Sequence, residues 1–296
     1  MRVLILGGNG MIGHKVYQFL SKEYSDTWVT LRNKFDSYTF SHIYNSEKVV
    51  DEIDLLNFEY LRYKLNEINP DIIVNACGIT IRRGVDNLKS NSIILNSALP
   101  HILNEWVTFN RKRLIHFSTD CVFSGDNGNY SDYDYKDATD IYGSSKSLGE
   151  VTDSKFAITL RGSMIGRELE NNTELFEWFL KQRNKTIKGF SGVIYSGITT
   201  IKMAEIVLKL IQYFPNLSGV YNISSKAITK FDLLKLFNEH FEMNAKILDD
   251  KSYVSNKNLI SSRFFSAIGL EQPEWGSLIS QLKVDCIQNN NLYNLK

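Results

Sequence analysis

Apolar residues in the first half of the chain fall into short runs separated by stretches of helical spacing. Val3–Leu6 is a four-residue apolar run ending in glycines, as expected of a strand buried on both faces of a parallel sheet. Ile12, Val16, Phe19 and Leu20 then recur at helical intervals over residues 11–23. Residues 27–31 read as a second strand, and 57–68 as a helix with Leu61, Leu65 and Ile68 on one stripe. Pro70 stops that helix, and 72–75 is again a strand. A helix over roughly 86–110, a strand over 113–118, a helix from about Tyr142 and a strand over 156–161 follow. Strand and helix alternate at the length of βαβ units, which predicts an α/β chain with a Rossmann-type doubly wound parallel sheet.

The pattern loosens after Gly162. Helices are expected over 174–183, 201–213 and 230–241, and a strand over 220–223. We therefore expect a dinucleotide-binding domain over 1–162, to which residues from about 187–215 return. Residues 163–296 would mainly form a smaller α/β substrate lobe on the sheet's carboxyl edge, where doubly wound folds bind ligands. The asparagine-rich end, 288–296, reads as a fraying tail.

Composition narrows the function. Of 296 residues 43% are hydrophobic, enough for a sizeable core. The 34 basic and 33 acidic side chains leave a net charge of +1, so no nucleic-acid partner is expected. Cys77, Cys121 and Cys286 lie far apart, which suits a reducing compartment rather than a disulfide framework. The apolar start is too short for a signal-peptide core and no run approaches a membrane span, so a cytoplasmic protein is expected. None of the five histidines has a metal-ligand spacing, so no catalytic metal is expected. His116, mid-strand, reads as a core histidine with its hydrogen bonds made.

Two clusters carry chemistry. Gly7, Gly8, Asn9, Gly10, Met11, Ile12 and Gly13 follow the first strand and open the first helix. Gly7 suits a tight turn, Gly10 lets backbone approach a pyrophosphate, and Gly13 permits close helix–strand packing. The helix start then offers N–H groups and partial positive charge to phosphate. The second strand runs into Arg32, where an acidic residue would receive the ribose of NAD; Arg32 leans towards the extra phosphate of NADPH and leaves NADH open.

The second cluster is Tyr142 and Lys146, a YxxxK pair that shares one helix face. An ordinary tyrosine titrates near ~10, and a nearby ammonium favours the phenolate. Upstream, the strand ends in Ser118, Thr119 and Asp120, whose hydroxyls can bond a carbonyl oxygen and stabilise charge developing on it. Each cluster alone has a bland explanation: a βα turn, a surface ion pair, a helix cap. Together and in this order they predict a nicotinamide-dependent oxidoreductase.

The motifs GGNGMIG (7–13), NACG (75–78), STDCVFSG (118–125), YGSSKSLGE (142–150) and LRGSMIGRE (160–168) resemble those of the extended short-chain dehydrogenase/reductases over roughly residues 1–240. Within that group the chain is most similar to the sugar-nucleotide 4-ketoreductases of the dTDP-4-dehydrorhamnose reductase kind. The resemblance implies reduction of the C4 ketone of a nucleotide-linked 4-keto-6-deoxyhexose and a homodimer. It implies that Tyr142 donates the proton, that Lys146 lowers its pKa and grips the nicotinamide ribose, and that Thr119 bonds the ketone with Asp120 in support. Asn75, Ala76, Cys77 and Gly78 would line the cofactor cleft, and Asp54 and Leu55 would sit near the adenine. Asn96 matches a family asparagine. Val122, Phe123, Arg161, Thr199 and Thr200 would lie towards the sugar nucleotide. Arg82 and Arg83 could meet a substrate phosphate, and Tyr130, Tyr133 and Tyr135 could close over the site. Gly162 stands where the family has threonine, which blurs the substrate: a UDP-linked 4-keto-6-deoxy-N-acetylhexosamine fits the same pattern. A 4-epimerase or 4,6-dehydratase and a non-enzymatic regulatory subunit are the other readings. Cys121 in place of a glutamate counts against the dehydratase.

Overall fold

The structure is a computed structural model and describes residues 1–80 and 89–293. Among the described residues, seven strands form one parallel sheet in the order Gly219–Asn222, Ala157–Arg161, Arg113–Ser118, Ile72–Asn75, Val3–Leu6, Thr27–Thr30, Val49–Val50. The winding direction reverses beside Val3–Leu6, and the crevice at such a reversal is where doubly wound sheets take ligands.

The alternation of the strands sorts the core into two layers. Val3 and Ile5 face one way with Val29, Val74 and Ile115, under the helices Gly13–Glu23 and Thr200–Tyr213. Leu4 and Leu6 face the other way with Ile73 and Leu114, under Phe58–Ile68 and Leu99–Asn110. Asn57 caps Phe58–Ile68 by accepting from the Tyr60 N–H (3.0 Å), and the helix ends at Asn69 in the left-handed region, one residue before Pro70. The described part of the next helical stretch runs over 89–110 and carries a π-helical turn, Ile94–Ala98, which the periodicity does not show.

Beyond the main sheet, three small sheets lie among the described residues. Met164–Ile165 pairs with Ile198–Thr199; Val193–Tyr195 lies between Ile228–Thr229 and Ser255–Asn256; Thr186–Phe190 pairs with Lys246–Asp250. The chain therefore returns to the main sheet from Thr200 to Asn222 rather than from about 187, because residues 186–190 are taken by the lobe strand Lys246–Asp250. Phe176, Phe179 and Phe237 pack at 5.2–5.4 Å in the lobe and belong to the same apolar cluster as the sheet's first face. No helix among the described residues is long and apolar enough to cross a membrane.

Up to Tyr293 the C-terminal segment is packed rather than frayed as expected, and residues 294–296 lie outside the described residues. The helix Trp275–Gln288 packs against the helices Lys230–His240 and Thr200–Tyr213, and the first helix is reached by Asp285 and, from the turn Asn290–Tyr293, by Tyr293. Lys15, buried, meets Asp285 at 2.7 Å, and the Tyr293 hydroxyl meets His14 Nε2 at 2.9 Å. Burial holds His14 neutral, with a pKa of about 3. Its Nδ1–H donates to the Gly10 carbonyl (2.8 Å), so the tail is tied to the glycine turn.

Candidate active site

The strand Val3–Leu6 delivers the chain into Gly7, whose φ of +82° lies in the left-handed region. A Cβ on Gly7 would lie 2.8 Å from Cys77 Sγ, and one on Gly13 would overlap the Gly7 carbonyl oxygen. The turn is pinned to the second strand: Gly7 N donates to Thr30 Oγ1 (3.0 Å) and Gly8 N to the Thr30 carbonyl (2.9 Å). The helix Gly13–Glu23 follows Ile12 with no side-chain cap, so no side chain competes for its first-turn N–H groups. A glycine cradle with no room for a Cβ at Gly7 or Gly13 and an uncapped, positive helix end fit a pyrophosphate.

Beyond the turn lies a cleft of about 320 Å³ at the carboxyl edge of the sheet. It brings together Met11, Ile12, Ala76, Cys77, Gly78, Thr119, Tyr142 and Lys146 from the expected set. Asp140 caps the helix Ile141–Leu148 through Gly143 N (2.9 Å) and thereby orients the Tyr142–Lys146 face. A Cβ on Gly143 would overlap the Cys121 carbonyl, so this helix sits against the turn that follows Thr119.

The electrostatics differ from the expectation for a tyrosine sharpened by lysine. Burial pushes the Tyr142 phenol well above its ordinary value, and a hydrogen bond with Thr119 opposes the rise. Lys146 is itself buried; its ammonium donates to the Phe117 carbonyl at 2.6 Å, and desolvation lowers it to about 8 against the pull of Glu150. The Thr119 hydroxyl donates to Asp120 Oδ1 (3.1 Å) and accepts from Cys121 N (3.1 Å), so Asp120 supports Thr119 from behind the cleft. Burial pushes the Cys77 and Cys121 thiols up to about 12. Asn75 is buried at its strand end and holds Cys77 N (3.2 Å) and His116 Nδ1 (3.2 Å). His116 Nε2 has no partner among the described residues, so this core histidine is only half satisfied; burial holds it neutral.

Several expected substrate residues lie elsewhere. Arg161 is fully buried and donates to both Glu150 oxygens, at 2.7 Å each, and to Asn222 Oδ1 at 2.9 Å. Its guanidinium is taken up by Glu150 and Asn222, and it does not line the cleft. Val122 and Phe123 are wholly buried with Tyr130 and Leu259, and Phe123 stacks on Tyr130 at 4.1 Å. Thr199 caps the helix Thr200–Tyr213, and Thr200 is buried against Gly166. Tyr130 is thus core, whereas Tyr133 and Tyr135 are exposed. Arg32 and Asp54 are exposed at the ends of the second and third strands, and Leu55 packs against the second apolar layer; none of them lines this cleft. Arg82 and Arg83 fall outside the described residues.

The lobe supplies cleft residues that the sequence reading missed: Glu174, Tyr195 and Lys230. The Lys230 ammonium lies 3.7 Å from the centre of the Tyr195 ring. The Thr229–Asp232 spacing marks a helix start, and Thr229 does accept from Asp232 N (3.0 Å). That local signal does not say where the helix start lies in space. Asn96 sits in the π turn, where its amide bonds the Ile79 backbone (2.9 and 3.0 Å) and Ser145 Oγ (3.1 Å), joining the cofactor side to the Tyr142 helix.

Fold and cleft together define a chain of the extended short-chain dehydrogenase/reductase class. It belongs to the family described as the RmlD substrate binding domain, whose profile matches residues 1–257. A protein of Aggregatibacter actinomycetemcomitans named dTDP-4-dehydrorhamnose reductase is 24% identical over 263 residues, 78% of this chain and 87% of that protein. The crystal structure of dTDP-4-dehydrorhamnose reductase from Bacillus anthracis in complex with NADP superposes with a TM-score of 0.78 at 20% identity, covering 96% of this chain and 99% of that one. The methionine adenosyltransferase 2 subunit beta of Mus musculus is 26% identical over 177 residues, 58% of this chain and 49% of that protein.

Proposed function

We propose that this chain reduces the C4 ketone of a nucleotide-linked 4-keto-6-deoxyhexose, using NADPH and accepting NADH. The observation that carries the reading is that Thr119, Tyr142 and Lys146 open onto the same cleft as Met11 and Ile12 at the end of the glycine turn. When bound, the reduced nicotinamide supplies the hydride. The turn at 7–13 and the helix start would hold the pyrophosphate, with Arg32 towards an adenosine 2′-phosphate. Lys146 would hold a ribose hydroxyl. Thr119 turns its proton from Asp120 to the ketone oxygen and stabilises charge developing there. Tyr142, kept protonated by burial, donates the proton that completes the alcohol. Glu174, Tyr195 and Lys230 would shape the sugar-nucleotide side.

The test is direct. Purified protein, reduced cofactor and 4-keto-6-deoxy sugar nucleotides linked to dTDP or UDP should consume the reduced cofactor, with the C4 alcohol identified by NMR. Failure with both nucleotides would remove the reading. Similarity to the methionine adenosyltransferase subunit supports a second reading, a nucleotide-binding regulatory partner. Copurification with another enzyme and indifference of function to Tyr142→Phe would favour it.

A further inference from the structure

The second strand ends in exposed Arg32, without the carboxylate that would receive adenosine ribose hydroxyls. A carboxylate reaches the same end of the glycine turn from the opposite half of the molecule. Glu170 lies between the strand Met164–Ile165 and the helix Leu175–Leu180, and its Oε2 accepts from Asn9 Nδ2 at 2.7 Å. Its stretch of chain is held in shape. Asn171 and Asn172 follow with φ of 70° and 52°, and Glu168 accepts from the N–H groups of Thr173 (2.7 Å) and Glu174 (2.8 Å).

Two tyrosines link this end of the glycine turn to the neighbourhood of Arg32. The Tyr38 hydroxyl accepts from Asn33 N (2.9 Å), next to Arg32, and the Tyr44 hydroxyl donates to the Gly8 carbonyl (2.8 Å). Burial raises both phenols, and the negative charge of Glu170 adds to the rise. Glu170 Oε1 has no hydrogen-bond partner among the described residues, so the carboxylate keeps acceptor capacity beyond Asn9.

Resting on the dinucleotide reading above, the geometry points to Glu170 as the carboxylate that receives the adenosine ribose hydroxyls, set against Arg32, so that the cleft takes NADH as well as NADPH. An ionised acceptor favours the 2′-hydroxyl of NADH and repels the 2′-phosphate of NADPH. Arg32 acts in the opposite sense. Selectivity is then a balance between two side chains from different halves of the fold.

The experiment is a direct binding titration of NADH and NADPH, followed by nicotinamide fluorescence, on the wild type, Glu170→Gln, Glu170→Ala and Arg32→Ala. Losing a charged acceptor should weaken NADH about tenfold while NADPH holds or tightens. Arg32→Ala should shift the ratio the other way. An unchanged NADH-to-NADPH ratio in both Glu170 variants overturns the assignment, as does an equal loss of both cofactors with a lowered melting temperature. Wild type that binds neither dinucleotide removes the reading on which the assignment rests; wild type that binds both, with a ratio indifferent to Glu170, removes only the assignment.

Discussion

Glu150→Gln tests the claim that Arg161 is structural. The Glu150 and Arg161 side chains are 0% and 2% exposed, and two contacts of 2.7 Å join them. Ser118 donates to Glu150 at 2.7 Å and Lys136, nearer the surface, approaches at 3.1 Å. The pair thereby ties the end of the Thr119 strand to the end of the Tyr142 helix and to the strand bearing Asn222. Breaking one partner of a buried pair costs roughly 3–5 kcal/mol, because the other charge stays buried without compensation. For a chain of this length that corresponds to a melting temperature lower by about 6–10 °C. Adding Arg161→Met should recover much of the loss, since replacing both charges removes the orphan. Burial alone would raise the Glu150 carboxyl, but the Arg161 guanidinium, with Lys136 and Ser118, holds it below its ordinary value. A depressed carboxylate stabilises the fold above its unfolded pKa, and that stability is lost as pH falls through the folded value. The wild type should therefore lose stability on acidification below the ordinary carboxylate range, and Glu150→Gln should lose less. Calorimetry across pH, with KM for the sugar nucleotide measured in parallel, decides the matter. Unchanged melting with a large rise in KM would refute the structural assignment and return Arg161 to the substrate.

Four shorter predictions accompany it. Tyr142→Phe should lower kcat about 10²–10⁴-fold with little change in substrate KM, read by steady-state kinetics; a small loss would mean another proton donor. Gly13→Ala should weaken cofactor binding and lower the melting temperature, because its Cβ overlaps the Gly7 carbonyl oxygen; retained binding in a titration would count against the cradle. Lys146 falls from 10.5 to about 8 on folding, so the unfolded chain binds the extra proton between those values and stability should rise with pH across that window, by up to ~3 kcal/mol. Lys146→Met should flatten that rise in pH-dependent denaturation. Cys77 and Cys121 line the cleft but are held near 12 by desolvation, so they should alkylate slowly in the native protein near neutral pH, and fast labelling by mass spectrometry would contradict that desolvation.

What the sequence made legible was local. The glycine turn, the strands and the Tyr142–Lys146 face each lie within a few consecutive residues, where backbone geometry and helix spacing determine who stands beside whom. Arg161 misled because its neighbours in sequence mark a strand end near the site, whereas its side chain is captured by Glu150 from another element. Val122 and Phe123 misled in the same way: the turn Asp120–Val122 carries the chain from the cleft into a small core with Leu259. The tail from 288 reads as fraying because asparagine is frequent in it, yet Tyr293 finds a buried partner on the first helix. Glu174, Tyr195 and Lys230 share no motif, since three separate pieces of the lobe bring them together. Long-range pairing is what a single sequence encodes least openly.

The protonation states of the cleft explain why burial, rather than the lysine charge, dominates the tyrosine here. A phenol beside an ammonium in water would lose its proton more easily and be the stronger proton donor. In this cleft desolvation acts on both partners and drives both towards neutrality: Tyr142 upward, Lys146 down to about 8. The direction of both shifts suits a site that must hold a proton until negative charge develops on a ketone oxygen. Lys146, at about 8, remains mostly an ammonium near neutral pH, and anionic charge arriving beside it would favour that form further. On the reaction proposed above, Tyr142 would keep its proton until hydride transfer creates a more basic alkoxide to receive it.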